Sequence, residues 1–354
     1  LLTGADGTAA IVPDPDGTQL PQPPSLAAHD LSRTPHGTAI IGYPRNDENR
    51  VVSQLQLAMI RFHNHVVDTL YNDPHNDMEG KELYERAREL VTWHYQWVVI
   101  NDFLVNLCGG AVVSDILGNG RRFYCINGDE PFIPVEFSVA AYRFGHSMVP
   151  QKVQIQQGQP EFELFGTVFG EGFSPLADER AIVDWHELLE TSQDRHVQKA
   201  EKLDTQLASD LLKLPFIPET GIQSLASRNL LRGQTFLLPS GENIANAMQR
   251  PESEIGNVSD STKSIASGAV DFSNGTPLWF YILREAAEIG RETSPGEFEP
   301  GEGLGPVGAR IVAETMMGLI ELDSRSYLAE NRNWSPAQGV GVSTLGEMLT
   351  YQAS

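Results

Sequence analysis

From Val51 onward the apolar residues Val52, Leu55, Met59, Phe62, Val66 and Leu70 recur at steps of three and four, and Asn72-Asp73-Pro74 closes the run. That spacing predicts an amphipathic helix entered through a turn at Tyr43. A second long helix is predicted from Glu79 to Leu107, stopped by Gly109-Gly110, and a third over Val135–Val149. The period then shortens to two: Val153 and Ile155 alternate with polar residues, and a Gly-Gln-Pro turn precedes Phe162 and Leu164, which predicts a small hairpin. Helical spacing returns over 178–190, 196–212, 241–248, 277–289 and 306–322. The acidic, glycine-rich "SPGEFEPGEGLGP" reads as a surface loop between two of these helices. No repeat and no linker divides the chain. The expected fold is mostly α with one small β-hairpin, a single domain over 1–354 whose first 40 or so residues, rich in turn signals, form a loop or extended region.

Composition narrows the partners. Against 25 basic side chains stand 47 acidic ones, a formal charge of −22, which repels phosphate backbones and anionic lipid and so argues against a nucleic acid partner. The most apolar stretch, "WVVINDFLVNLCGGAVV", is interrupted by Asn101, Asp102 and Asn106, and no membrane span is expected. Cys108 and Cys125 could form one bridge or remain two buried thiols. The chain starts at Leu1, with no basic-then-apolar leader, and reads as beginning in mid-domain; a trimmed export or tag boundary would look the same.

Candidate chemistry centres on "AAYRFGHSMVP". The nucleophile-elbow pattern G-x-S-x-G does not fit here, because Val149 stands where its second glycine belongs and the sequence leading in is helical. What remains is Arg143 and His146, three apart and so on one face of a helix. Other histidines carry less. His63 and His65 are two apart, diverge, and cannot share a metal, while His94 within Trp93-His94-Tyr95-Gln96-Trp97 reads as a hydrogen-bonded core residue.

"YRFGHSMV" resembles the proximal-histidine helix of the animal-type haem peroxidases. "RNDEN" followed by "LQLAMIRFHNHVVD" is similar to that family's distal Arg-x-x-Glu helix, which runs on into the signature seen here as Ile60-Arg61-Phe62-His63-Asn64. "LASRNLLRGQTFLLPSG" resembles the Leu-x-x-x-Asn-x-x-Arg segment behind the proximal histidine. "TPLWFYILREA" and "LGPVGARIVAETMMGLI" resemble C-terminal helices of the bacterial branch. The matches run in order from about Thr34 to Tyr351.

The resemblance implies a haem b site. His146 would ligate the iron, and Asn229, through its amide carbonyl, would accept the proton on the other ring nitrogen. Arg143 would reach a haem propionate; Arg232 is the second propionate candidate, or else a surface arginine. Arg45 would stabilise charge developing on the departing peroxide oxygen, and Glu48 would form an ester to a haem methyl. Asn49 follows Glu48, so a sulfonium link through methionine is not available there. Hydrogen peroxide would then oxidise the ferric haem by two electrons, and a halide or small organic donor would return them. The family's distal histidine and calcium loop belong to a segment preceding the block that starts here. That implies an upstream segment or second chain of the same protein carrying a general base, a second ester and calcium, in a secreted or extracytoplasmic protein. Two rival readings are a fatty-acid dioxygenase of the same superfamily, with Tyr124, Tyr142 and Tyr281 as radical candidates, and a catalytically silent pseudo-peroxidase or scaffold.

Overall fold

A computed structural model describes residues 24–126, 130–166, 168, 172–191, 195, 197–266 and 271–351. Residues 1–23, for which the sequence predicts turns and loops, and His196, where one helix was expected to begin, lie outside them. The described residues are mostly helical, with two small two-stranded sheets. They gather into two compact units: one from Leu1–Tyr95, Gln151–Lys199 and Ser335–Ser354, the other from Gln96–Pro150 and Ala200–Trp334.

In the first unit the long helix spans Arg50–Asn72. Asn49 caps it, its side chain accepting the Val51 N–H at 2.9 Å, so the residue that excludes a methionine link has a structural task of its own. Leu57, Ala58, Phe62 and Val66 form the buried stripe. Phe62 meets the edges of His94 and Tyr351, and the short helix Leu345–Thr350 packs on the same face. His94 is the core residue expected: fully buried, its Nδ1 lies 2.7 Å from the Val342 carbonyl while Nε2 accepts the Val340 N–H at 3.1 Å. His63 and His65 do diverge, one towards Tyr84 and the other towards Tyr351. The hairpin pairs Lys152 with Glu163 and Val153 with Phe162.

The second unit is built around Leu278–Glu288. Leu278, Trp279, Tyr281, Ile282, Leu283, Arg284, Glu285 and Ala286 are all buried, as befits a helix surrounded on every side. The helices Leu225–Thr235, Gly241–Ala247, Glu252–Ala266 and Pro306–Glu321 pack against it. The last of these starts at Gly305-Pro306 without a side-chain cap of its own. Glu285 supplies one from the neighbouring helix, its carboxylate accepting the N–H groups of Val307 (3.0 Å) and Gly308 (3.2 Å). A Cβ at Gly305 would lie 2.3 Å from Glu285 Cγ, which restricts that position to glycine.

Several elements depart from the sequence pattern. The Glu79–Leu107 helix is Gly80–Val98, a π-turn over Val99–Phe103, and Leu104–Cys108. It ends where expected, at Gly109, whose φ of +90° and Cβ position 2.1 Å from the Glu292 carbonyl oxygen admit only glycine; a further helix, Gly110–Asn119, follows. Regions 178–190 and 196–212 are not continuous helices but a 3-10 turn, Glu179–Ala181, and the single turns Trp185–Leu188 and Ser209–Leu212. Asp178 and Asp184 each cap a new start, accepting N–H groups two residues on, which divides the first region. Part of the glycine-rich loop is a second hairpin, Arg291–Ser294 with Glu297–Glu299, turning at Gly296. Cys108 is a buried free thiol and Cys125 an exposed one.

Candidate haem-binding site

The segment bearing His146 is not the regular α-helix that its periodicity predicts. It is a π-turn, Glu136–Ala140, joined through Ala140 (φ −126°, ψ −70°) to a 3-10 stretch, Ala141–His146. In a 3-10 helix residues three apart eclipse, so Arg143 and His146 still share a face. The segment is anchored from behind: Trp279 Nε1 donates to the Arg143 carbonyl at 3.2 Å, and Phe144 is buried.

His146 and Asn229 meet across the fold, Asn229 Nδ2 lying 2.9 Å from His146 Nδ1. Asn229 sits in the Leu225–Thr235 helix and is fully buried. Its Oδ1 is buried without a hydrogen-bond partner. The amide thus faces the ring in the opposite sense to the one implied by sequence. Turning it over exchanges two atoms of nearly equal size, brings the carbonyl onto a protonated Nδ1, and leaves the Nε2 lone pair free.

Charge near His146 is entirely positive. Burial first, then the Arg143 and Arg232 guanidinium groups, push its pKa down to about 4, so the ring is neutral at physiological pH. Arg143 is itself held below the usual arginine range by burial and by Arg232. Its Nε donates to the Ser138 carbonyl at 3.0 Å, and among the described residues neither arginine has a carboxylate partner. Two neighbouring cations without a counter-ion, beside a neutral imidazole, make a place for a dianion with a metal at its centre.

Arg45 and Glu48 lie in the other unit, on a 3-10 turn, Pro44–Asp47, ahead of the long helix rather than within it. The Glu48 N–H donates to the Arg45 carbonyl at 3.1 Å, which stacks the two side chains on one edge of the turn; both are exposed. Between them, Asp47 points inward and is buried.

A family model described as "Animal haem peroxidase" matches residues 5–265. The chain belongs to the animal haem peroxidase family. Among curated relatives it is 26% identical over 209 residues to a dual oxidase of Drosophila melanogaster, covering 58% of this chain and 13% of that protein. It is 27% identical over 212 residues to the chorion peroxidase of the same organism, covering 58% and 26%, and 32% identical over 131 residues to the eosinophil peroxidase of Mus musculus, covering 37% and 17%. The chain therefore spans only a minor part of these relatives' length. Its fold is similar to that of peroxidase A from Dictyostelium discoideum, with a TM-score of 0.62 at 18% identity, over 90% of this chain and 57% of that one.

Family membership implies haem, and the residues present suit it on three counts: a buried amide with an orphaned oxygen against a neutral histidine, two arginines lacking anions, and a histidine placed to use either nitrogen. Sequence reading missed what holds Arg45 and Glu48. Asp30, Arg33 and Arg50 surround Asp47 in a buried charged group, in which Arg33 Nη1 lies 2.6 Å from Asp47 Oδ2 and Arg50 Nη1 lies 3.9 Å from Asp30 Oδ1. Only the spacing of Asp30 and Arg33, three apart, hinted at it. Among the described residues no group of three or more His, Cys, Asp or Glu side chains could hold a metal ion, and no helix is long and apolar enough to cross a membrane.

Proposed function

We propose that the protein is a haem peroxidase that uses hydrogen peroxide to oxidise a halide or a small organic donor. The observation that carries this reading is the His146–Asn229 pair at 2.9 Å with Arg143 and Arg232 beside it. Bound haem would supply the two electrons that cleave peroxide and would recover them from the donor. His146 would hold the iron through Nε2. Asn229, with its carbonyl towards Nδ1–H, would fix tautomer and ring direction and raise the basicity of the ligand. Arg143 and Arg232 would neutralise the two propionates.

Arg45 would receive the peroxide. Its guanidinium is planar, permanently charged and already exposed, so it can donate hydrogen bonds to the oxygen on which negative charge accumulates as the O–O bond lengthens. Glu48, on the same edge of the turn, would provide the carboxylate for an ester to a haem methyl.

The test is titration of the purified full chain with haemin. The expected result is a Soret band at one equivalent that is lost in His146→Ala, together with peroxide-dependent oxidation of halide or a phenolic donor. A wild-type chain that takes up no haemin would overturn the proposal.

A further inference from the structure

Arg45 and Glu48 form no ion pair among the described residues, so their direction is set by the backbone of a single 3-10 turn, an element with little stability of its own. Something else must hold it. The Arg33 guanidinium has five N–H groups, and all five are used: Nε to Asp30 Oδ2 (2.9 Å), Nη2 to Asp30 Oδ1 (3.1 Å) and Asp47 Oδ1 (2.7 Å), and Nη1 to Asp47 Oδ2 (2.6 Å) and the Gly37 carbonyl (2.9 Å). Asp30 is pinned in turn by the N–H groups of Leu31 and Leu176, both at 2.8 Å.

A strap of backbone crosses the same turn. The Phe173 N–H donates to the Asp47 carbonyl at 2.6 Å, and Arg50 Nη2 donates to the Ser174 carbonyl at 3.3 Å. At Gly172 a Cβ would lie 2.0 Å from the Glu48 carbonyl oxygen, so the strap lies directly on the turn and only glycine fits there. We propose that Arg33, through Asp47 and together with the Gly172 strap, is a positioning group that fixes the bearing of Arg45 and Glu48. The inference rests on the haem peroxidase reading for what those two residues face. Its physical basis is that a buried, fully bonded charge cluster adds little net stability compared with apolar packing, whereas it specifies geometry tightly. Lysine cannot replace Arg33, because an ammonium has three donors and no planar fork.

The experiment is a double-mutant cycle on the haem-loaded full chain, pairing Asp47→Asn with Arg45→Ala and measuring the rate of reaction with peroxide per bound haem. If Asp47 acts through Arg45, Asp47→Asn lowers the rate about 10-fold when Arg45 is present and less than about 2-fold when it is absent, because misplacing a catalytic group by a fraction of an ångström has costs of that size. Equal losses in both backgrounds, or no loss, would overturn the proposal. Hydrogen exchange on the haem-free chain supplies a readout independent of activity. Arg33→Lys should speed exchange of the Glu48 and Phe173 amides by about tenfold or more while leaving the Leu225–Thr235 helix unchanged; unaltered exchange at those two amides would also overturn it. A wild-type chain that binds no haemin sinks the peroxidase reading instead, and the exchange measurement still decides the role of Arg33.

Discussion

Single side chains determine how haem would be held. With its pKa near 4, His146 stays neutral where a histidine in the unfolded chain, at 6.5, begins to protonate. The unfolded state therefore binds more protons between those values, and His146 contributes a loss of stability as pH falls from about 6.5 towards 4. The His146→Ala variant should lack that component, which a comparison of denaturant midpoints at pH 7 and pH 5 would reveal. Asn229→Leu should keep haem but weaken its binding by about 10–100-fold, the usual cost of losing the group that orients a metal-binding histidine. Competition with apomyoglobin would measure it. For Glu48, acid–acetone extraction after peroxide turnover should leave haem on the wild-type polypeptide and none on Glu48→Gln; freely extracted wild-type haem would exclude the ester. Arg45, Glu48, His146 and Asn229 could all be picked out from short motifs, because each motif is local. Arg33, Asp30 and Asp47 could not, because their bonds join segments far apart in the chain and the residue types alone read as surface charge.

At the scale of elements, Glu285 links two helices by capping one from the other. Burial pushes its pKa up to about 7 in spite of the backbone N–H groups it accepts. Here the folded state binds the extra proton, so the sign is opposite to that of His146: stability falls as pH rises from about 4.5 to 7, by about 3 kcal/mol if the whole shift is expressed. Glu285→Gln, which keeps an acceptor for Val307 and Gly308, should gain on the wild type as pH rises through that window. A thermal melt series would show the two curves separating, and parallel curves would mean that the carboxylate is already ionised throughout. The helices that periodicity located well, such as Arg50–Asn72 and Pro306–Glu321, are long, with one strongly apolar stripe or none of the strong capping residues in mid-run. Where Asp178 and Asp184 intervene, local side-chain bonds to the backbone broke the helix that the apolar spacing allowed. Both π-turns escaped notice, because one extra residue in a turn leaves composition and polarity unchanged.

For the whole molecule the formal charge of −22 is the dominant long-range property. A field of that sign attracts cationic donors and repels anionic ones before any contact is made. Peroxidation of a cationic aromatic donor should therefore slow as ionic strength rises from about 10 to 150 mM, while oxidation of an anionic donor of similar potential should quicken, since the Debye length shrinks from about 30 Å to about 8 Å. Stopped-flow rates at several salt concentrations would test this, and identical salt slopes for the two donors would refute it.

The π-turn at Val99–Phe103 makes the helix sensitive to residue count. Val98 and Leu104 on either side have ordinary right-handed helical dihedrals, so the extra residue is absorbed entirely between them. Remove one residue there and the turn can close as regular α-helix, but everything beyond it is rotated by about 100° around the axis. Leu104, Leu107 and Cys108, now buried, would swing away from the core, and Asn106, now exposed, would leave its present place with them. A one-residue deletion in this turn thus acts like a wrong gear setting on a shaft: every local bond can be made, and the far end still faces the wrong way.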